Sequence, residues 1–208
     1  MAEPTRYIQT YRYPVSANED DAIINCRWFA WFLLKPPYRW SLQAICAALG
    51  NWEVETYLNP NYPQYSDYPT NQSGGFGMPH WTPWHDKYGV WAQTNYGLIA
   101  SATDDNPLAD FALQMEYHEY ECVNGYNGDA TWYDNHGYSY TWEEWKHSTN
   151  DVKVLATAYY YQYERSASGA PGDRPTYAQK WWDYFQEHPP DRDTPPIWLL
   201  FKFKEWRW

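Results

Sequence analysis

The stretch that decides the fold is Gly50-Asn51-Trp52-Glu53-Val54-Glu55-Thr56-Tyr57-Leu58-Asn59-Pro60. It closes a helical pattern that begins at about Ser41 and stops at the final Asn-Pro pair. Gly50 within that helix costs about 1 kcal/mol relative to alanine, which predicts a close backbone approach at this position. The stretch therefore predicts a helix with two carboxylates, Glu53 and Glu55, near its end. One apolar stripe precedes them: Leu42, Ile45, Cys46, Leu49 and Trp52.

The rest of the chain predicts further helices around one turn-rich excursion. Residues 57–87 are rich in Asn, Pro, Gly, Ser and Tyr and predict loops with a short hairpin. The fold class is therefore mainly α, of an α+β type in which a helical domain carries a loop or hairpin excursion. Helices are predicted from Asn18 to the stop at Pro36-Pro37, around Trp84 to Thr94, from Pro107 through Cys122, after capping boxes at Thr141–Glu144 and Ser148–Asp151, and from Pro175 to Glu187.

Composition limits the class of protein and its partners. A chain of 208 residues with 44% hydrophobic content predicts one folded domain. The formal charge of −11 argues against nucleic acid and anionic membrane, because phosphate contacts need Lys and Arg. Three cysteines, an odd number, are interpreted as small buried hydrophobes in a reducing compartment. The 15 Trp and 22 Tyr suit either a sugar-binding groove or an aromatic core, and the sequence leaves both open.

The two ends of the chain differ from its middle. We predict an N-terminal arm over residues 1–15, a catalytic domain over 16–187 and a Pro-rich linker with an aromatic tail over 188–208. The tail is interpreted as an anchor on a neighbouring subunit, with a strand folded back on its own domain and a membrane-surface contact as alternatives. The start of the chain has no apolar run of signal-peptide type, and no stretch approaches 18 apolar residues, so no membrane span is expected.

A carboxyl group at the end of an apolar helix is suited to general acid catalysis. Apolar neighbours such as Trp52 and Tyr57 would desolvate it and raise its pKa, which is what the protonation of a glycosidic oxygen requires near neutral pH. The helical wheel does not choose between the two acids, because Glu53 lies nearer the large apolar stripe and Glu55 lies nearer the loop. A solvated pair of helix-end acids is the alternative.

Three segments resemble the phage tail lysozyme family, whose members are tail-knob enzymes that degrade peptidoglycan. The first is Trp40–Pro60, and the second is Gly75-Phe76-Gly77-Met78-Pro79-His80-Trp81-Thr82-Pro83, which resembles the family's Gly-Phe-Gly-Leu-Val-Gln-Trp-Thr-Pro. The third is Tyr163-Glu164-Arg165 together with Arg174, Ala178 and Trp181. The similarity covers about residues 18–186. It implies a lysozyme-like fold in which Glu55, followed by Thr56, is the catalytic acid.

The resemblance also implies where the substrate binds, with two departures from the family pattern. Thr56 replaces Ser and keeps the hydroxyl, whereas His80 stands where the family has Gln and can alter the pH response. Asp67, in the excursion, is the candidate for a second catalytic carboxylate, with a loop-capping role as the alternative. Glu164 and Arg165 are expected to form an internal ion pair. The candidate substrate-binding residues are Thr56, Tyr57, Gly77, Met78, His80 and Trp81.

The expected function is cleavage of the β-1,4 bond between N-acetylmuramic acid and N-acetylglucosamine, by hydrolysis or lytic transglycosylation, when a phage infects its host. The expected partners are peptidoglycan strands and other tail proteins, with no cofactor. The expected location is the virion, after synthesis in the host cytoplasm. Two alternatives remain: an inactive wall-binding or structural tail component with the same fold, and a zinc site built from His80 and His85 or from His118, Glu119, Glu121 and Cys122.

Overall fold

The computed structural model describes residues 19–102, 106–125, 131–164 and 169–190, with side chains from residue 22 onward. These residues form a mainly helical domain, as the sequence predicts. Its α-helices are α1 (Glu19–Leu33), α2 (Leu42–Thr56), α3 (Val90–Tyr96), α4 (Phe111–Asn124), α5 (Trp142–His147), α6 (Val152–Tyr159) and α7 (Arg174–Glu187). Two π-helical turns, His85–Gly89 and Tyr160–Glu164, adjoin α3 and α6, and a 3-10 turn, Pro107–Ala109, precedes α4.

Helix α2 is the centre of the fold. Its first turn is capped by Ser41, whose hydroxyl accepts a hydrogen bond from the Ala44 amide at 3.0 Å. The predicted single stripe is too narrow, because every residue from Ala44 to Trp52 is buried. The close approach predicted at Gly50 is confirmed: a Cβ there would lie 2.5 Å from both the Ala178 nitrogen and the Arg174 carbonyl oxygen. Helix α7 therefore packs directly against the backbone of α2.

Two predicted helix starts are wrong and one is confirmed. The capping box at Thr141 is present, with Glu144 returning the hydrogen bond. Ser148 does not open α6; instead Asp151 accepts from the amides at the start of that helix. Pro107 begins only a 3-10 turn, and α4 starts after Asp110, which accepts from the Leu113 amide at 3.0 Å. At both places an aspartate that lies directly before the helix accepts from its first amides.

The excursion between α2 and α3 holds isolated β-bridges within its described residues. Phe76 pairs with both Pro63 and Trp81, and the Gln64 amide donates to the Gly75 carbonyl oxygen at 2.8 Å. These contacts fold the predicted hairpin into a compact loop that lies beside the C-terminal end of α2. Thr56 provides the join, since its buried hydroxyl lies 3.9 Å from the Met78 sulfur.

Many of the aromatic rings among the described residues fill the core. Trp28, Trp52, Trp145 and Trp181 are among the largest fully buried side chains. Of the two interpretations of the aromatic excess, the core accounts for most of the tryptophans. The three cysteines are buried, as predicted, and no disulfide joins them. Among the described residues, no helix is both long and apolar enough to cross a membrane. The arm over residues 1–15 and the tail from residue 191 lie outside the described residues.

Candidate active site

Glu55 lies in the last turn of α2, at the join between the helix and the excursion. Its side chain is 24% exposed, so it is partly accessible to solvent. One carboxylate oxygen accepts a hydrogen bond from the Arg174 guanidinium. The other lies 3.2 Å from Nδ1 of His80. Glu55 is therefore a partly exposed carboxylate held between two nitrogen donors.

Arg174 connects Glu55 to a second carboxylate. Its Nε donates to Glu164 at 2.8 Å, and its Nη1 donates to the carbonyl oxygen of Pro171 at 3.3 Å. The guanidinium also stacks 4.7 Å from the ring of Tyr160. Because four contacts fix it, Arg174 presents its remaining nitrogen to Glu55 in one orientation. We define Glu55, His80, Glu164 and Arg174 as the acid cluster.

The predicted rise in the pKa of Glu55 is wrong, because its pKa is lowered. Burial does raise it, but the hydrogen bond from His80 and the positive charge of Arg174 outweigh burial and leave the pKa below its ordinary value. The raised pKa belongs to Glu164. Burial raises the pKa of Glu164 to about 8, against the opposing charge of Arg174. At neutral pH the cluster therefore favours a proton on Glu164 and an ionised Glu55.

His80 occupies a tight position against the glycine-rich segment. Its φ of 57° lies in the left-handed region, and a Cβ on Gly75 would lie 2.5 Å from its Nε2. That Nε2 is buried without a hydrogen-bond partner. A protonated Nε2 would leave a buried donor unsatisfied, so the geometry favours the tautomer in which Nδ1 carries the proton and donates to Glu55. His80 then supplies an N–H donor to Glu55, as a glutamine amide can.

Substitution of His80 is therefore expected to change the pKa of Glu55. His80→Leu removes the donor, and the pKa of Glu55 is expected to rise above that of the wild type. His80→Gln keeps an N–H donor and is expected to give a smaller rise. A ¹³C NMR titration of the glutamate carboxyl groups measures both, with His85→Leu as a control because His85 pairs with Asp86. Identical Glu55 titrations in the Leu variant and the wild type would refute this role of His80.

The backbone donors predicted to contact substrate are used within the protein. The Gly77 amide donates to the carbonyl oxygen of Tyr62 at 3.3 Å, and the Met78 amide donates to Oε1 of Gln114 at 2.9 Å. Met78 is also fully buried. These groups hold the excursion in place beside α2, and their amides are not free for a sugar.

Two other predicted substrate residues are buried. Trp81 is 3% exposed and donates its indole N–H to the carboxylate of Glu121. Thr56 is fully buried and donates its hydroxyl to the carbonyl oxygen of Trp52 at 2.9 Å. Glu121 also accepts from the hydroxyl of Tyr163. Both predicted residues therefore position the excursion from below the surface.

Tyr57 and Asp67 are the exposed members of the predicted set. Tyr57 caps α2 with a φ of 53° and is 49% exposed, and its ring centroid lies 5.7 Å from that of Tyr62. Asp67 lies on an exposed turn, where its carbonyl oxygen accepts from the amides of Thr70 and Asn71. Among the described contacts of the acid cluster, none involves the carboxylate of Asp67. The carboxylate that the structure brings near Glu55 is Glu164.

The sequence predicts an internal ion pair between Glu164 and Arg165, whereas the structure describes a different partner for Glu164. Arg165 lies outside the described residues, and the described partner of Glu164 is Arg174. The sequence singles out Arg174 only as part of the segment that resembles the end of the family's sequence pattern. A lone arginine ahead of an apolar helical pattern carries no local signal for this role, because its partner Glu55 is 119 residues away.

The residues that suggested zinc have other contacts. Nε2 of His118 lies 2.6 Å from the hydroxyl of Tyr159, and its Nδ1 lies 3.5 Å from the sulfur of Cys122. Burial lowers the pKa of His118 to about 3, so this ring is neutral. Glu119 accepts from the indoles of Trp40 and Trp142 and from Lys146. Within the described ranges, no three His, Cys, Asp or Glu side chains form a group that could hold a metal ion.

Comparison with known proteins matches this chain to a family profile and to a curated phage protein. The sequence profile of the family described as phage tail lysozyme matches residues 29–185. Morphogenesis protein 1 of Bacillus phage B103 is 32% identical to this chain over 158 residues. That alignment covers 76% of this chain and 38% of the relative, so the chain spans well under half of the relative's length. The matched region includes every member of the acid cluster.

Proposed function

The chain belongs to the phage tail lysozyme family, and from that premise we propose that it is a virion-associated glycosidase of peptidoglycan. It cleaves the β-1,4 bond between N-acetylmuramic acid and N-acetylglucosamine when a phage infects its host. The observation that carries the proposal is the position of Glu55. It is the partly exposed carboxylate at the end of the family's helix, held by Arg174 and His80 beside the excursion.

In this mechanism Glu55 protonates the leaving glycosidic oxygen. The free carboxylate is ionised at neutral pH because its pKa is lowered. A bound glycan covers the exposed side of Glu55 and removes water from it, and this further desolvation raises the pKa toward that of a working acid. The proton is lost to the leaving oxygen, and Arg174 and His80 stabilise the carboxylate that remains. Asp67 stays the proposed second carboxylate, on a turn that is open to solvent.

The test is clearing of purified cell walls by the wild-type protein, followed by mass spectrometry of the released fragments. We expect clearing that is faster on the acidic side of neutrality, because Glu55 must be protonated to act and its free pKa is lowered. Fragments with 1,6-anhydro ends would assign lytic transglycosylation, and reducing ends would assign hydrolysis. Amide cleavage without new glycan ends would contradict the proposal.

One observation favours the second candidate, a wall-binding or structural tail component without cleavage. Both oxygens of Glu55 are already engaged, and the pKa of Glu55 favours the form that cannot donate a proton. The relative in phage B103 is named a morphogenesis protein. Sedimentation of the protein with intact walls, without any fragment released across the pH range, would support this candidate and exclude the first.

A further inference from the structure

A cavity of about 350 Å³ lies beside the last turn of α2 and is lined by residues outside the acid cluster. It is formed where α1, α2 and α7 meet, and its volume falls in the range of small-molecule sites. The residues that line it combine three aromatic rings with one charged pair. They are Ala22, Ile23, Glu53, Tyr57, Lys180, Trp181 and Tyr184.

The charged groups of the cavity, Glu53 and Lys180, form a pair with no net charge that can make further hydrogen bonds. Glu53 accepts from Nζ of Lys180 at 2.6 Å and from Nε1 of Trp181 at 2.7 Å. A carboxylate has about four acceptor positions and an ammonium has three N–H groups, so both retain capacity beyond these bonds. Lys180 is 43% exposed, which leaves its ammonium accessible. A ligand that both donates and accepts hydrogen bonds and carries no net charge matches this pair.

Tyr57 links the cavity to the acid cluster. Its half-exposed ring lines the cavity and lies 5.7 Å from the ring of Tyr62, which lies 6.2 Å from the ring of His80. His80 in turn contacts Glu55 at 3.2 Å. Aromatic rings that are partly wet on one face suit the apolar face of a sugar ring. A glycan strand whose bond lies at Glu55 can therefore follow these rings toward the cavity.

We propose that this cavity is a distal saccharide subsite, which binds an uncharged amino-sugar unit of the same strand through Glu53, Lys180 and Tyr57. The inference rests on the proposed function, since it extends the substrate of Glu55. The neutral pair selects uncharged sugar units, and the chain's charge of −11 disfavours anionic ones.

The test measures binding separately from cleavage. Glu55→Gln protein is titrated calorimetrically with the β-1,4-linked N-acetylglucosamine tetramer, with and without Lys180→Met. We expect Lys180→Met to weaken tetramer binding about two- to tenfold, which is the range for loss of one hydrogen-bonding group. The matched control is Lys153→Met, since Lys153 is an exposed lysine on α6, and it is expected to bind as the parent does. The indole N–H resonance of Trp181 is expected to shift during the titration.

Two further measurements keep the outcomes distinct. Tyr57→Ala, at an exposed position, is expected to weaken tetramer binding even if Lys180→Met does not fold. In protein with Glu55 intact, Lys180→Met is expected to raise KM and leave kcat unchanged. Unchanged tetramer affinity in both variants would overturn the subsite while leaving wall clearing to stand. Binding that depends on Lys180 in a wild-type protein that clears no walls would refute the glycosidase and retain the subsite.

Discussion

Glu55→Gln is expected to reduce clearing of purified cell walls by about 10²- to 10⁴-fold, the range for loss of a general acid. The substitution keeps the shape of the side chain and one of its two hydrogen-bond acceptor positions. The amide oxygen can still accept from the guanidinium of Arg174, so the end of α2 is expected to keep its geometry. The loss should appear in kcat and kcat/KM together, because the proton is transferred only in the transition state.

The control is Glu187→Gln, which removes an exposed carboxylate at the end of α7. It is expected to clear walls at the wild-type rate. Both variants are compared at the same pH and ionic strength, because each changes the net charge of an already acidic chain by one unit. Equal clearing by Glu55→Gln and the wild type would remove Glu55 from the mechanism.

Local sequence predicts the position of Glu55 at the end of α2, but it does not predict the pKa of its carboxyl group. The cap at Ser41, the buried backbone approach at Gly50 and the end of α2 near the excursion are set by neighbouring residues. Sequence patterns therefore placed the carboxylate correctly in the fold. Its pKa depends on Arg174 and on His80, which reach it from separate segments. No periodicity reports such contacts.

Distant contacts also bury part of the predicted substrate-binding set. Trp81 was expected to stack on sugar, yet it is buried because its indole N–H has a distant acceptor, Glu121 on α4. Glu119 accepts from two further indoles in the same way. Buried carboxylates are thus partnered by tryptophans far away in the chain, which lets polar rings enter the core at no hydrogen-bond cost. Composition alone could not separate this core from a sugar groove.

Arg174→Met is expected to lower the free energy of unfolding by about 3 kcal/mol at neutral pH, since it leaves the ionised Glu55 without its positive partner and the carboxyl of Glu164 without its hydrogen-bond donor. The side chain of Arg174 is only 11% exposed and that of Glu164 is 7% exposed. For a domain of this size the loss corresponds to a decrease of roughly 10 °C in Tm. Urea unfolding measures it, with Arg39→Met as the control, because Arg39 is exposed.

The difference between wild type and Arg174→Met is expected to shrink as pH falls. The folded pKa of Glu55 is lowered, so its contribution to stability is present above the unfolded value and is lost as pH falls through the folded one. Once Glu55 is protonated, Arg174 no longer stabilises a charge there.

Glu164 has the opposite effect on stability. Its folded pKa is raised to about 8, so the folded protein binds a proton more tightly than the unfolded chain does, and stability is lost as pH rises from the unfolded pKa toward 8. Unfolding curves for wild type and Arg174→Met, recorded at several pH values between 3 and 8, test these two trends. If the difference in unfolding free energy between the two proteins stays constant across the series, Arg174 does not stabilise the ionised form of Glu55.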